Sequence, residues 1–202
     1  MIKKPSLLQM IIRRIEIFYE FLFGLDFKSV NSLEYLGLDS NVVSKCSPSG
    51  NKYLKKAFSN LNITNQDSIL DIGCGKGSAI RVLLKFNFNK VDGIELSEYL
   101  AKKAVNNFNK LNNFKPKIFQ QNVLEFKDYN NYNYFYLYNP FPGSVFSEFL
   151  TLINKQVREK DIYIVYNNPV CHDLLIHDGF ILKYTYPDMW GNGINVYTKK
   201  ID

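Results

Sequence analysis

Ser68-Ile69-Leu70-Asp71-Ile72-Gly73-Cys74-Gly75-Lys76-Gly77-Ser78-Ala79-Ile80 is the stretch from which the architecture of this chain is read. An apolar run ends in an aspartate, passes three glycines at alternate positions and enters a segment of helical character. Only glycine lets a backbone turn that sharply and leaves room for a molecule lying against it. A dinucleotide fingerprint, G-x-G-x-x-G, would need glycine where Ser78 stands, so the pattern departs from the nicotinamide type. After Gly77 a second apolar run, Val91-Asp92-Gly93-Ile94, ends in Glu95, just before a helical segment that starts at Ser97. A carboxylate at the tip of a second strand can accept both hydroxyls of a ribose.

Outward from these two motifs, short apolar runs alternate with helical stretches, the signature of strand-helix units around a parallel sheet. The candidate strands are 68–72, 90–95, 116–121, 133–138, 160–166, 180–186 and 193–199, and the candidate helices are 78–86, 97–110, 144–156 and 169–178. The second of these helices carries Leu100, Ala104, Phe108 and Leu111 on one face. No helix separates the last two strands, so they form a hairpin that puts an antiparallel strand into an otherwise parallel sheet. Tyr132, Tyr134, Tyr136 and Tyr138 alternate along the fourth strand and predict a buried strand with aromatic packing.

Upstream, Pro5 and Gly24 bracket a helix whose polar positions Gln9, Arg13, Glu16 and Glu20 form one stripe on an apolar cylinder. The wide apolar face needs a cover, and packing against the body of the protein is the expectation, ahead of a second subunit or a lipid surface. Residues 25–50 read as a long irregular connection of the lid kind. The predicted organisation is therefore an N-terminal helix and lid-like extension over 1–60, followed by a ligand-binding domain over 61–202.

The chain has 202 residues and is 46% hydrophobic, enough for one full core. Its net charge is +6; nine Lys/Arg against five Asp/Glu in residues 1–66 place +4 of that excess at the N-terminal end. Cys46, Cys74 and Cys171 are scattered and lack CxxC or Cys/His pairing, so neither a disulfide framework nor a metal site is predicted. A reducing, cytoplasmic setting fits. The charges within residues 7–23 argue against a signal peptide or a spanning helix. His172 and His177 fall together on the helix before the sixth strand, where core or surface placement is expected.

Residues 68–199 resemble the class I, Rossmann-like S-adenosylmethionine-dependent methyltransferases. The resemblance implies an α/β fold with a seven-stranded, mostly parallel sheet in the order 3-2-1-4-5-7-6, the seventh strand antiparallel. It implies that Asp71, Gly73, Cys74, Gly75 and Gly77 surround S-adenosylmethionine, that Glu95 holds the ribose, and that Leu96, Asn122, Val123 and Asn139 also contact the cofactor. S-adenosylhomocysteine would be the product. The family often has an acidic residue for the adenine amino group where this chain has Asn122, whose amide oxygen can still accept; backbone atoms of Gln121 and Val123 are the alternative. The N-terminal third, including residues 29–38 and 47–49, is similar to small bacterial methyltransferases with a proline-containing loop and a short helix before the first strand. That implies a segment, Ser47 to Tyr53, folded over the cofactor.

Tyr138-Asn139-Pro140-Phe141-Pro142 is similar to the Asn-Pro-Pro-aromatic motif of methyltransferases acting on amino groups, with the second proline and the aromatic exchanged. Asn139 and Tyr138 are thus candidate catalytic residues, and Asn139, Phe141 and Trp190 a candidate acceptor pocket. A proline-rich turn whose Asn caps the next helix is the other reading. In-line transfer relies on alignment and exclusion of water, so no dedicated acid or base is required. The expected acceptor is an N or O nucleophile of a small molecule or glycan. A protein or nucleic-acid substrate, or cofactor binding without transfer, are the alternatives.

Overall fold

The computed structural model describes residues 6–37, 39, 47–111 and 115–201. Cys46 and part of the expected lid lie outside these residues. Seven strands, β1 (Ser68–Ile72), β2 (Lys90–Glu95), β3 (Ile118–Gln120), β4 (Tyr134–Tyr138), β5 (Ile162–Asn167), β6 (Ile181–Tyr186) and β7 (Ile194–Lys199), make one sheet. Its order is β3-β2-β1-β4-β5-β7-β6. Neighbours are parallel from β3 through β5, while β7 runs antiparallel to both β5 and β6. Fold class, strand order and terminal hairpin are those predicted.

Among the described residues six α-helices accompany the sheet: α1 (Leu7–Leu22), α2 (Lys52–Ser59), α3 (Ser78–Leu83), α4 (Glu98–Lys110), α5 (Gly143–Gln156) and α6 (His172–His177). Parallel strands covered on both faces are predominantly apolar, and every residue of β1 is buried, Ser68 and Asp71 included. The pleat divides β4 between two cores. Phe135 and Leu137 join Phe146, Phe149 and Ile153 of α5, while Tyr134 and Tyr136 join Leu54, Phe58, Ile80 and Phe108 of α2, α3 and α4. The tyrosine stripe is buried as expected until Tyr138, which is half-buried at the strand end.

Several boundaries differ from the sequence reading. Pro116 has no N–H for the ladder, and β3 begins only at Ile118. Helix α2 lies inside the N-terminal extension. Its cap is Asn51, whose Oδ1 accepts from Tyr53 N and Leu54 N at 2.9 and 3.1 Å, and it buries Leu54, Ala57 and Phe58.

The larger difference is α1. Its apolar face was expected against the body, yet Glu20 is its only buried residue. Eleven large apolar side chains between Leu7 and Phe23 are exposed. The reason is orientation: the polar stripe, with Glu20 at its end, faces the body. Among the described residues no helix is long and apolar enough to cross a membrane.

Candidate cofactor and acceptor site

Pairing of Ile72 with Ile94 brings Gly73 and Glu95 out of the sheet side by side. This is the edge beyond the carboxyl ends of the parallel strands, where open α/β sheets bind ligands. Gly73 N and Cys74 N both donate to Ile94 O, at 2.9 and 3.0 Å, which folds the loop back across β2. The turn uses left-handed backbone at Gly73, Gly75 and Gly77, with φ of 73°, 55° and 85°. A Cβ on Gly73 would stand 2.9 Å from Cβ of Pro140, so this loop abuts the turn after β4.

Two buried carboxyl groups stand at the centre. Glu95 Oε2 accepts from Gly75 N at 2.8 Å and Glu95 Oε1 from Ser97 N at 2.9 Å, so the residue braces the glycine loop. Burial raises its pKa, against the opposing effect of those backbone donors. Asp71 is more extreme. Burial, with repulsion from Glu95 second, pushes its carboxyl well above the usual range, and its Oδ2 is buried without a hydrogen-bond partner. An acid pair of this kind, one oxygen unanswered, suits a cationic ligand.

One cavity is lined by Asp71, Gly73, Cys74, Gly75, Glu95, Leu96, Asn122, Val123, Tyr138 and Phe141. These ten predicted residues therefore come together. Asn122 Oδ1 already accepts from Leu124 N at 3.0 Å, capping the short turn Val123–Glu125. One lone pair of that amide oxygen is thus engaged, and the second remains open to another donor.

Three predicted residues do not line the cavity. Gly77 is required by packing: a Cβ there would stand 2.5 Å from Cε2 of Phe108. Asn139 has φ of 43°, and its Oδ1 lies 3.5 Å from the hydroxyl of Tyr166. Trp190 sits edge-on to Tyr53 of α2, ring centroids 5.7 Å apart. Its loop is shaped by Asp188 Oδ1, which accepts from Trp190 N and Asn192 N at 2.8 and 3.1 Å. Burial first, then the charge of Asp188, raises the pKa of Tyr138, so the loop after β6 reaches the end of β4. Phe141 touches the cavity but is 5% exposed, its ring set against Phe146 and Phe149. His172 Nδ1 meets the Tyr197 hydroxyl at 2.8 Å and His177 Nδ1 its own helix at Asp173 O, both away from the cavity.

Further wall residues come from the connection read as lid-like and from the segment expected over the cofactor, though the sequence does not single out Phe27, Ser29 and Leu33 there. Phe27, Ser29 and Leu33 line the cavity together with Ser47, Pro48 and Ser49. Ser29 is held by Lys76 of the glycine loop, which is buried, ion-paired to Asp26 at 2.7 Å and a donor to the Ser29 hydroxyl. Asn107 of α4 closes this knot: Asp26 N donates to its Oδ1 at 2.9 Å, and its Nδ2 donates to Asp26 O and Lys76 O. A lysine between two glycines was the local signal, but its partner lies fifty residues upstream.

This sheet order, a glycine loop braced by an acid at the tip of β2, and a cavity above them define a class I S-adenosylmethionine-dependent methyltransferase. The chain belongs to the ribosomal RNA adenine dimethylase family, which it matches over residues 49–171. No curated protein matches the chain significantly. Its fold is similar to that of an S-adenosylmethionine-dependent methyltransferase from Aquifex aeolicus (15% identity, 72% of this chain and 87% of that one, TM-score 0.56). It is also similar to a ribosomal protein L11 methylase from Lactobacillus delbrueckii subsp. bulgaricus (12%, 81% and 84%, 0.56). A third similar structure is the magnesium protoporphyrin IX methyltransferase of Synechocystis with bound S-adenosylhomocysteine (13%, 72% and 78%, 0.51). Acceptors as unlike as a protein and a porphyrin on one fold mean that the fold does not choose the acceptor.

The residues present fit the cofactor. S-adenosylmethionine is cationic at its ammonium and sulfonium, and the unanswered Oδ2 of Asp71 is the anionic counterpart on the cavity wall. Glu95 keeps lone pairs for ribose hydroxyls beyond the two backbone donors it already serves.

Proposed function

We propose that the protein methylates the exocyclic amino group of adenine in RNA, with S-adenosylmethionine as donor. The observation that carries this reading is the family match, which spans both the glycine loop and Tyr138-Asn139-Pro140. It favours the nucleic-acid alternative over the small-molecule or glycan acceptor expected from the sequence.

The cofactor supplies an electrophilic methyl group on a sulfonium; the chain's part is to hold the acceptor in line with it. Asn139 Oδ1 would accept one amino N–H of adenine and the Pro140 carbonyl the other. The present contact of Asn139 Oδ1 with the Tyr166 hydroxyl, 3.5 Å long, is weak enough for a substrate donor to replace. Tyr138, half-buried on the cavity wall, offers a flat face for the base. Phe141, expected in that role, is committed to the aromatic core. Adenine's amino nitrogen is neutral at physiological pH, so no base is needed to uncover it; the proton leaves to water after attack. Alignment of this kind can supply on the order of 7–11 kcal/mol. A base reaching this cavity must leave its stack, which is easiest in single-stranded RNA.

The test is incubation with methyl-labelled S-adenosylmethionine and unmodified ribosomal RNA transcripts, followed by digestion to nucleosides. Label in N6-methylated adenosine is expected. Label confined to another nucleoside, or transfer to small amines and not to RNA, would overturn the reading.

A further inference from the structure

Helix α1 meets the rest of the chain with its polar side. Gln9 Nε2 reaches Met189 Sδ at 3.6 Å, Glu16 pairs with Lys28 at 2.7 Å, and Glu20 pairs with Arg81 at 3.2 Å. Glu20 Oε2 also accepts from Phe27 N and Lys28 N. At 100° per residue these three positions fall within a narrow arc. Leu7, Ile11, Ile15, Phe18 and Leu22 lie opposite, between 46% and 70% exposed. A helix on a globular body ordinarily buries that stripe; here polar contacts along its length fix it outward.

The charge on the segment is one-sided as well. Its acids Glu16, Glu20 and Asp26 are all ion-paired, with Lys28, Arg81 and Lys76. Arg13 and Arg14 have no ion pair among the described residues, and Lys3 and Lys4 precede them in the sequence. Phe18, Tyr19, Phe21 and Phe23 crowd the far end with exposed rings. An apolar face, unpaired arginines and interfacial aromatics together are the composition of a helix lying on an anionic bilayer.

We propose that α1 docks the protein on an anionic lipid surface, its axis in the plane of the interface. Its 16 residues span about 24 Å, short of the roughly 30 Å hydrocarbon layer, so it lies on the membrane rather than across it. A second copy is the poorer occupant. An antiparallel two-fold pair of α1 helices crosses at its midpoint, beside Arg14, and sets each guanidinium against its twin in a drying seam. A lipid surface offers the same group a phosphate. The inference is independent of the acceptor.

The experiment is flotation of the full-length protein with vesicles of phosphatidylcholine alone or with about one-third phosphatidylglycerol. Binding to the anionic vesicles is expected. Replacing Arg14, the arginine on the side of the apolar face, by Gln should weaken it roughly fivefold, the effect of one charge removed near the surface. Ile15→Glu with Phe18→Glu should abolish it, and because both side chains are exposed, folding and cofactor-induced thermal stabilisation should be retained. Absence of flotation, or equal flotation of the double glutamate variant, would overturn the proposal. So would a concentration-dependent dimer lost in that variant without any vesicle binding, which would assign the face to a second copy.

Discussion

Asp71→Asn should make the ligand-free protein more stable and the ligand-bound protein less so. The native carboxyl is buried, its Oδ2 has no partner, and Glu95 adds repulsion, so its pKa is raised from 3.8. Below pH 3.8 the group is protonated in both folded and unfolded chains and contributes no difference. As pH rises from there toward the folded pKa, the unfolded chain ionises first, and the native state loses stability until the folded pKa is passed. A carboxamide of nearly the same shape removes that term. Leaving a buried charged acceptor unanswered costs on the order of 1–3 kcal/mol, which for a chain of this size is a rise of roughly 2–12 °C in melting temperature. The gain should be present at pH 8 and shrink toward pH 4. S-adenosylmethionine at a hundredfold excess over its dissociation constant should stabilise the native protein by about 2.7 kcal/mol and the variant far less, so that the variant's advantage is largely erased or reversed. Thermal unfolding with and without ligand at both pH values measures this. A ligand-free variant less stable at pH 8, or one with an undiminished ligand shift, would refute the reasoning.

Glu95→Ala should weaken cofactor binding by about 1.5–3 kcal/mol, since a charged acceptor for ribose hydroxyls and the brace on Gly75 N are lost together; an unchanged calorimetric affinity would remove Glu95 from the site. Asn139→Ala and Trp190→Ala should each retain cofactor affinity while methyl transfer to RNA falls. For Asn139 the loss should be tenfold or more, and full transfer in both variants would move the acceptor pocket away from this edge.

The strands were legible because parallel strands buried on two faces carry unbroken apolar runs, and glycine or proline marks their ends. The tyrosine stripe of β4 gave a buried aromatic strand, though not the two cores between which its pleat divides. Asp71 and Glu95 were legible for a related reason, since each is the only acid at the tip of an apolar strand. What escaped was decided by partners distant in sequence. Lys76 meets Asp26 and Ser29, and the lid-like reading of 25–50 could not say which of its side chains, here Phe27, Ser29 and Leu33, would reach the cavity. Phe141 occupies a motif position, yet packing with Phe146 and Phe149 claims its ring. The pattern of α1 gave its two faces but not which one the body would hold, because contacts from Glu16 to Lys28 and from Glu20 to Arg81 decide that.

The cavity above β1 and β2 is the centre of this account, and calorimetric titration of the folded protein with S-adenosylmethionine and S-adenosylhomocysteine tests it most directly. Saturable binding of both at micromolar concentrations, one ligand per chain, is predicted. No heat with either ligand, on protein shown to be folded, would contradict it.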